Sequence, residues 1–576
     1  MASEKSSISR RKFVRTSALV SGGVALLPAL LSACKDNEPG ITYTGDFGFR
    51  EGVASFDPAA TSIILWTRYT NAANEPDEAT IRWEVSSTSD FGALVASGTA
   101  PAAASADYTV AVNATGLTAN QKYYYRFRSE RTATTSVVGE TRTLPIGSQA
   151  SSVKLAVVSC ANFQAGLFNV YGAVAASDAD AVVHLGDYIY EYGAGQYGTT
   201  GATAALNRLH QPATEIVSLS DYRTRYRQYR GDKQLQRAHQ LKPFICIWDD
   251  HEYANDAYTT GAENHQPATE GTFDDRKRAA NQAWFEYLPA RTADKTKIYR
   301  NFEFGNLVNL LMLDTRIVGR DKQLSLASYF SSTGVFNTAA FATAWQDPSR
   351  SMLGPDQRTW LAGALGGSSA RWQAIGSQVL MGKMYIPAEL LPLVAQLATG
   401  PTPALLAQYS TQATQLSVIK TRILNNDPTV TAAERARVET VLPYNLDAWD
   451  GYPAEREKLY AAAGTKKLIS LAGDTHNAWH SDLRDAAGRR AGAEFACSSV
   501  SSPGFEALLA GNAAAIQGFE QSNQLLIDDL QYLDASRRGY VLASFTAANA
   551  TAEYRYVASL DTENATTTTG KTVVEV

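Results

Sequence analysis

Histidine and cysteine, the side chains most often recruited to hold metals, are both scarce in this chain. Only seven histidines occur in 576 residues: His184, His210, His239, His251, His265, His476 and His480. A histidine-rich dinuclear cage would consume most of them, so any metal site here must lean on oxygen ligands. The four cysteines, Cys34, Cys160, Cys246 and Cys497, have neither the count nor the spacing of a disulfide framework. Cys246 and Cys497 lie in apolar runs and read as buried thiols, with a bridge between them as the alternative. A stripe of lysine and arginine is also missing. With 52 basic and 57 acidic side chains the net charge is −5, which excludes an electrostatic footprint for specific nucleic-acid binding. No internal repeat is evident. The remainder, 45% hydrophobic and 19% charged, is an ordinary globular composition in a chain long enough for two or more domains.

Long apolar runs are absent as well. The most hydrophobic N-terminal stretch, Ala18 to Leu31, is short, interrupted by Gly and Ser, and preceded by Ser9-Arg10-Arg11-Lys12-Phe13-Val14. It is too short for a spanning helix. The pattern resembles a signal read by the Tat translocation machinery, which carries folded proteins. Leu31-Ser32-Ala33-Cys34 resembles a lipobox, in which Cys34 would be lipidated and Lys35 to Gly40 would form a tether; cleavage near the same small residues is the alternative. Residues 1–34 are therefore read as a signal peptide. The mature protein is expected in the periplasm or at the cell surface, with Cys34 as a membrane tether.

Residues 44–145 alternate short β-type runs with turn residues and show no helical period. Examples are Ser62 to Arg68, Ala79 to Val85, Tyr108 to Val112 and Lys122 to Phe127. This spacing predicts an all-β sandwich of the immunoglobulin or fibronectin type, and Gly116 to Tyr123 resembles the turn and tyrosine that open a late strand in such modules. No titratable cluster falls here, so the module reads as a spacer or lid. Thr141 to Ser151 is a linker. From 150 to 576, strands alternate with longer helical or loop segments, the pattern of an α/β domain. Asp321 to Arg350 and Glu389 to Ala436 look inserted; the second reads as helical and could cover a site.

The chemistry gathers at the carboxyl ends of five apolar segments. These are Val153 to Cys160, Ala181 to Tyr192, Phe244 to His251, Arg371 to Gln378 and Lys466 to His476. Ligands of open α/β sheets bind outside such strand ends, so the five tips could converge on one metal cage. Each member has a plainer reading. Asp187 could be a turn acid, Tyr190 a packed tyrosine, Cys160 an inert thiol and His251 a structural histidine. Asp314 and Arg316 read as a structural ion pair, and His184, inside its strand, as a satisfied core histidine.

Cys160-Ala161-Asn162, Gly186-Asp187-Tyr188-Ile189-Tyr190, Asp249-Asp250-His251-Glu252, Gln378 and Gly473-Asp474-Thr475-His476 follow one another in the order of the metallophosphoesterase motifs. Together with Leu313-Asp314-Thr315-Arg316, Ser501-Ser502-Pro503-Gly504 and Arg538-Gly539-Tyr540, they resemble the PhoD branch of alkaline phosphatases, which is related to the purple acid phosphatases. The resemblance spans nearly the whole chain. It implies a four-layer αββα metallophosphoesterase sandwich after the β-module. It also implies hydrolysis of phosphate mono- or diesters by a metal-bound hydroxide or oxide. Under it, Cys160, Asp187, Tyr190 and His476 would hold one ion, and thiolate with phenolate favours Fe3+. Asp250, Gln378 and Asp474, sharing Asp187, would make an all-oxygen site suited to Ca2+. His251 and Asn162 would handle the phosphoryl group, with Asp249, Asn255, Arg316 and His480 behind them. Two other readings stand beside this one: a Zn2+- or Mn2+-dependent exported nucleotidase or phosphodiesterase, and a non-catalytic surface lipoprotein.

Overall fold

In the strand Val308–Met312, residues Val308, Leu310 and Met312 enter one hydrophobic core while Leu311 enters another. Lys467–Ala472 divides the same way, with Ile469 and Leu471 on one side and Leu468 and Ala472 on the other. Successive side chains of a strand point to opposite faces, so a sheet buried on both faces must be sandwiched between two apolar layers. The structure, a computed structural model, describes residues 48–70 and 78–576. The twin-arginine stretch, Cys34 and the tether lie outside the described residues.

Two large sheets result, of nine and seven strands. The inner core joins Leu155, Val157, Val183 and Ile245 of the first to Leu310, Ala374, Leu471 and Phe495 of the second. Helices Asn169–Ala176, Leu219–Arg230, Lys233–Leu241 and Phe273–Tyr287 add residues to that core. Helices Gly354–Gly367, Pro403–Leu424, Pro453–Ala463 and Ala513–Leu526 belong to the outer core on the far side of the seven-stranded sheet. This is the αββα sandwich. The late insertion is helical, over Leu391–Thr399, Pro403–Leu424 and Ala432–Glu439. Its buried Tyr409, Ala413, Leu416 and Ile419 sit in the outer core with Trp479 and Leu526.

Parallel pairing aligns the functional ends. Ser152–Val158, Ala181–His184 and Pro243–Cys246 are parallel neighbours in one sheet. Val308–Met312, Trp372–Gly376 and Lys467–Ala472 are parallel neighbours in the other. Cys246 and Cys497 are both free thiols and do not form a bridge.

The N-terminal strands form a sandwich with its own small core of Phe49, Ile63, Leu65, Ile81, Val85, Tyr125 and Phe127. The Tyr123 hydroxyl accepts the Thr118 N–H at 2.8 Å, which fixes the turn into Lys122–Ser129. One half of the sandwich departs from the expected spacer. Val53–Phe56, Ser62–Arg68 and Thr109–Thr115 are the last strands of the nine-stranded sheet, because Val53–Phe56 pairs in parallel with Pro243–Cys246. Only Glu78–Ser86, Leu94–Ala103, Lys122–Ser129 and Gly139–Arg142 make a separate sheet.

Asp57, immediately after Val53–Phe56, locks this junction. Its carboxylate accepts from Arg300 Nε and Nη2, both at 2.7 Å, and from the Arg291 N–H at 2.6 Å. Arg300 opens the outermost strand of the other sheet, so one buried fork ties the module to both sheets. Replacing Asp57 with Ala strands that guanidinium, and the expected loss is about 3–5 kcal/mol in a urea melt; a loss below about 1 kcal/mol would contradict this role for Asp57.

Candidate metal centre

The strand tips are stitched together by their own backbone. Cys160 N–H donates to Gly186 O at 3.2 Å and Ala161 N–H to Asp187 O at 2.8 Å. Gly186 has φ +99°, and a Cβ there would lie 2.4 Å from Asp249 Cβ, so only glycine lets these two tips close. Glu252 then ties them from beneath, accepting the N–H of Asp187 at 3.0 Å and of Asp249 at 2.7 Å, as well as that of Tyr188. Cys160, Asp187, Asp474 and His476 all have left-handed backbones, with φ of 61°, 55°, 67° and 64°. Non-glycine residues seldom adopt this conformation, and strain of this kind concentrates at functional sites.

These tips bring three overlapping sets of ligand atoms within 4.8 Å of one another: Cys160 with Asp187 and His476, Asp187 with Asp250 and His251, and Asp249 with Asp250 and Asp474. Tyr190 completes the first set. Its hydroxyl donates to Asp187 Oδ2 at 2.9 Å, lies 3.3 Å from His476 Nε2, and accepts from Ser502 Oγ at 2.6 Å. His476 Nδ1 faces Pro503 O at 2.8 Å, which orients Nε2 toward the cage. Asp187 is the residue the first two sets share, and its Oδ1 is buried without a hydrogen-bond partner.

The family model for the PhoD-like phosphatase matches residues 155–554, and that for its N-terminal domain matches residues 35–145. The chain belongs to the PhoD-like phosphatase family. Alkaline phosphatase D of Bacillus subtilis (strain 168) is 30% identical over 575 residues, covering 96% of this chain and 85% of that protein. A solved structure described as that of PhoD superposes with a TM-score of 0.72 at 28% identity, covering 93% of this chain and 91% of that one. This PhoD-like phosphatase is a metal-dependent phosphoric ester hydrolase.

The donor set of the phosphatase fits metal ions. One lobe offers a thiol, a phenol, an imidazole and a carboxylate, and the other offers carboxylate oxygens alone, hard ligands for a hard cation. Charge strain supports the same fit. Burial, reinforced by Asp250 and Asp474, raises Asp187 to about 7. Burial and then the Asp187 carboxylate raise Glu252 to about 8. Burial drives Asp249 well above the usual carboxylate range, although Arg316 opposes it. Burial and the Asp187 charge also raise Cys160 and Tyr190. At His251 burial acts the other way, yet Asp187, Glu191 and Asp250 outweigh it and hold the imidazole well above its ordinary value.

Several sequence expectations need correcting. Gln378 offers no lone pair to a metal. Its Oε1 accepts from the Thr315 N–H and hydroxyl at 3.1 and 2.8 Å, and its Nε2 donates to Trp248 O and Leu313 O. Asn162 caps a short 3₁₀ turn through Gln164 N–H and donates to Tyr197 O, so its amide organises a loop. Asp314 and Arg316 are not a pair: Asp314 accepts backbone N–H groups and Trp248 Nε1, while the Arg316 guanidinium reaches Asp249, Asp447 and Asp474. His480 lies away from the cage, against Glu494 O and Glu575. Asn255 does stand behind His251, donating its N–H to Glu191. His184 is a satisfied core histidine, bonded to Tyr171 at 2.7 Å.

The sequence reading missed Glu191, whose Oε2 meets His251 Nδ1 at 2.7 Å. It also gave no role to Glu252, Ser502, Tyr197 or Asp447. Tyr197 stands with its ring near parallel to both His251 and His476 and its hydroxyl 3.1 Å from His476 Nδ1. Glu191 and Glu252 adjoin residues already singled out, a signal that was available; Asp447 has none.

Raised carboxyl pKa values mean that the metal-free folded protein keeps protons the unfolded chain has released. Its stability therefore falls as pH rises from about 4, the unfolded carboxyl value, through the folded values near 7 to 8. Metals bind the deprotonated cage, so the melting-temperature gap between metal-loaded and chelated protein should widen from pH 5.5 to 8.5. A gap independent of pH would contradict the arrangement.

Proposed function

We propose that this phosphatase holds Fe3+ with Cys160, Asp187, Tyr190 and His476, and Ca2+ with Asp187, Asp250 and Asp474, to hydrolyse phosphate mono- and diesters outside the cytoplasm. The observation that carries this reading is Asp187, shared by the Cys160–His476 set and the Asp250–His251 set, with its Oδ1 buried and without a hydrogen-bond partner. A carboxylate with two oxygens in such a position suits a bridge. When bound, the ions supply Lewis acidity, neutralising charge on the phosphoryl oxygens and acidifying water.

The chain supplies the rest. His251 is clamped by Glu191 through Nδ1, and Glu191 is itself held by the Asn255 N–H at 2.9 Å and Asn264 Nδ2 at 2.7 Å. His251 also belongs to the Asp187–Asp250 set, so the imidazolium stands beside the place of a bound phosphoryl group. There it neutralises developing charge and delivers a proton to the leaving oxygen. Tyr190, with its ring centroid 4.2 Å from that of His251, packs against the imidazole and helps hold it. The twin-arginine stretch and Cys34 support Tat export to the periplasm or cell surface and a lipid tether.

Phosphomonoester and phosphodiester assays, with metal analysis of protein from its own host, test the assignment. Iron with calcium supports it, and zinc or manganese alone supports an exported nucleotidase or phosphodiesterase instead. Iron-loaded protein should show a visible phenolate-to-iron band, which Tyr190→Phe abolishes; an unchanged band removes Tyr190 from the ligand set. Asp187→Asn should cost orders of magnitude in kcat with the fold intact. Glu191→Gln should cost about 100-fold by freeing the imidazole, and near-wild-type rates in either variant count against the roles given.

A further inference from the structure

The oxygen-rich lobe of the cage is built around an arginine. Arg316 is fully buried, and its guanidinium is shared among four carboxylates from three separate parts of the chain. Nε donates to Asp249, Nη1 to Asp447 at 2.8 Å and Nη2 to Asp474 at 3.0 Å, while Asp250 lies 3.7 Å from Nη2. Arg320 is the second cation there, 2.6 Å from Asp447, and Asp187 adds a further acid through its contact with the Asp250 set. Three of the four partners, Asp249, Asp250 and Asp474, are the very residues whose oxygens cluster within 4.8 Å. A buried charge left unpaired is strongly destabilising, so such a cluster must take up protons or find a positive partner.

We propose that Arg316 is a resident counter-cation for this lobe. It keeps Asp249, Asp250, Asp447 and Asp474 assembled while no divalent ion is bound, so the ligands are in place when the ion arrives. The planar fork matters as much as the charge, since it reaches three carboxylates at once where an ammonium is a single point. Asp249 is then the arginine's partner and not one of the Ca2+ ligands named above, and Arg316 is what links Asp447 to the centre. The inference rests on reading the lobe as a site for a hard cation. It adds a positioning residue that touches neither substrate nor reacting atoms.

The test compares melting temperatures of the full-length protein in EGTA and in millimolar calcium chloride, for wild type, Arg316→Gln and Arg316→Lys. EGTA is chosen because it binds calcium far more tightly than magnesium, and iron content is measured in both buffers so that a loss from the other lobe is seen. Without Arg316 the ion-free lobe must take up further protons or spread apart, and calcium relieves that cost. The gap between the two conditions should therefore widen by about 2 °C or more in Arg316→Gln, and by less in Arg316→Lys. Adding Asp249→Asn to Arg316→Gln should recover part of the loss in EGTA and narrow the gap. A gap that stays at the wild-type value while the variant melts lower in both buffers would make Arg316 a purely structural residue and overturn the proposal. No gap in any variant overturns it too. Should Arg316→Gln yield no soluble protein, Arg316→Lys and the double variant decide by the same criterion. Hydrolysis of p-nitrophenyl phosphate by the wild type, measured alongside, tests the catalytic reading separately.

Discussion

Asp187, Asp249, Asp250, Asp447 and Asp474 are brought together at one end of two facing sheets, in a region from which water is largely excluded. Their mutual repulsion is the force that the surrounding structure has to contain. It is contained from three sides: by Arg316 among the acids, by His251 in front of Asp187, and by Glu252 drawing the backbone N–H groups of two tips inward. The two sheets supply the rigidity that this requires. Each tip hangs from a strand buried on both faces, so it cannot retreat from its neighbours without opening a core. A charge cluster held by packing in this way is an electrostatic trap for cations.

Much of this was legible in the sequence. Asp187, Asp249, Asp250 and Asp474 each follow an apolar run that reads as an interior strand, and the turn residues after it say where the strand stops. Tyr123 and its turn likewise announced the fibronectin-like sandwich. What escaped the reading was partner choice. Gln378 occupies the expected strand end, yet Thr315, from a neighbouring tip, takes both of its acceptor positions. Arg316 stands beside Asp314 in the chain but spends its guanidinium on Asp447, 131 residues later. Local spacing carries no information about which of several acids a long side chain will find. Sheet membership escaped for the same reason, since Val53–Phe56 looks like any edge strand until a partner is placed beside it.

The two lobes of the cage differ in how they are protected. The thiol–phenol side is walled by rings, with Tyr190, Tyr192, Tyr197 and His251 packed at centroid separations of 4.2 to 6.3 Å. The oxygen side is walled by ions. Rings exclude water from the thiol and phenol donors, whereas ion pairs keep the carboxylates in register. The asymmetry in the walls thus follows the asymmetry in the donors.

The shared nine-stranded sheet sets an order of events during biosynthesis. Val53–Phe56 leaves the ribosome early but finds its parallel neighbour, Pro243–Cys246, only after the intervening strands and helices have been made. Until then one side of the first module has an open hydrogen-bonding edge, a template for mispairing. Neither half can be sealed before the other exists, so the chain must complete its folding largely as a single unit once synthesis has passed that strand, and a fragment cut at the linker inherits an unsatisfied border whichever half is kept.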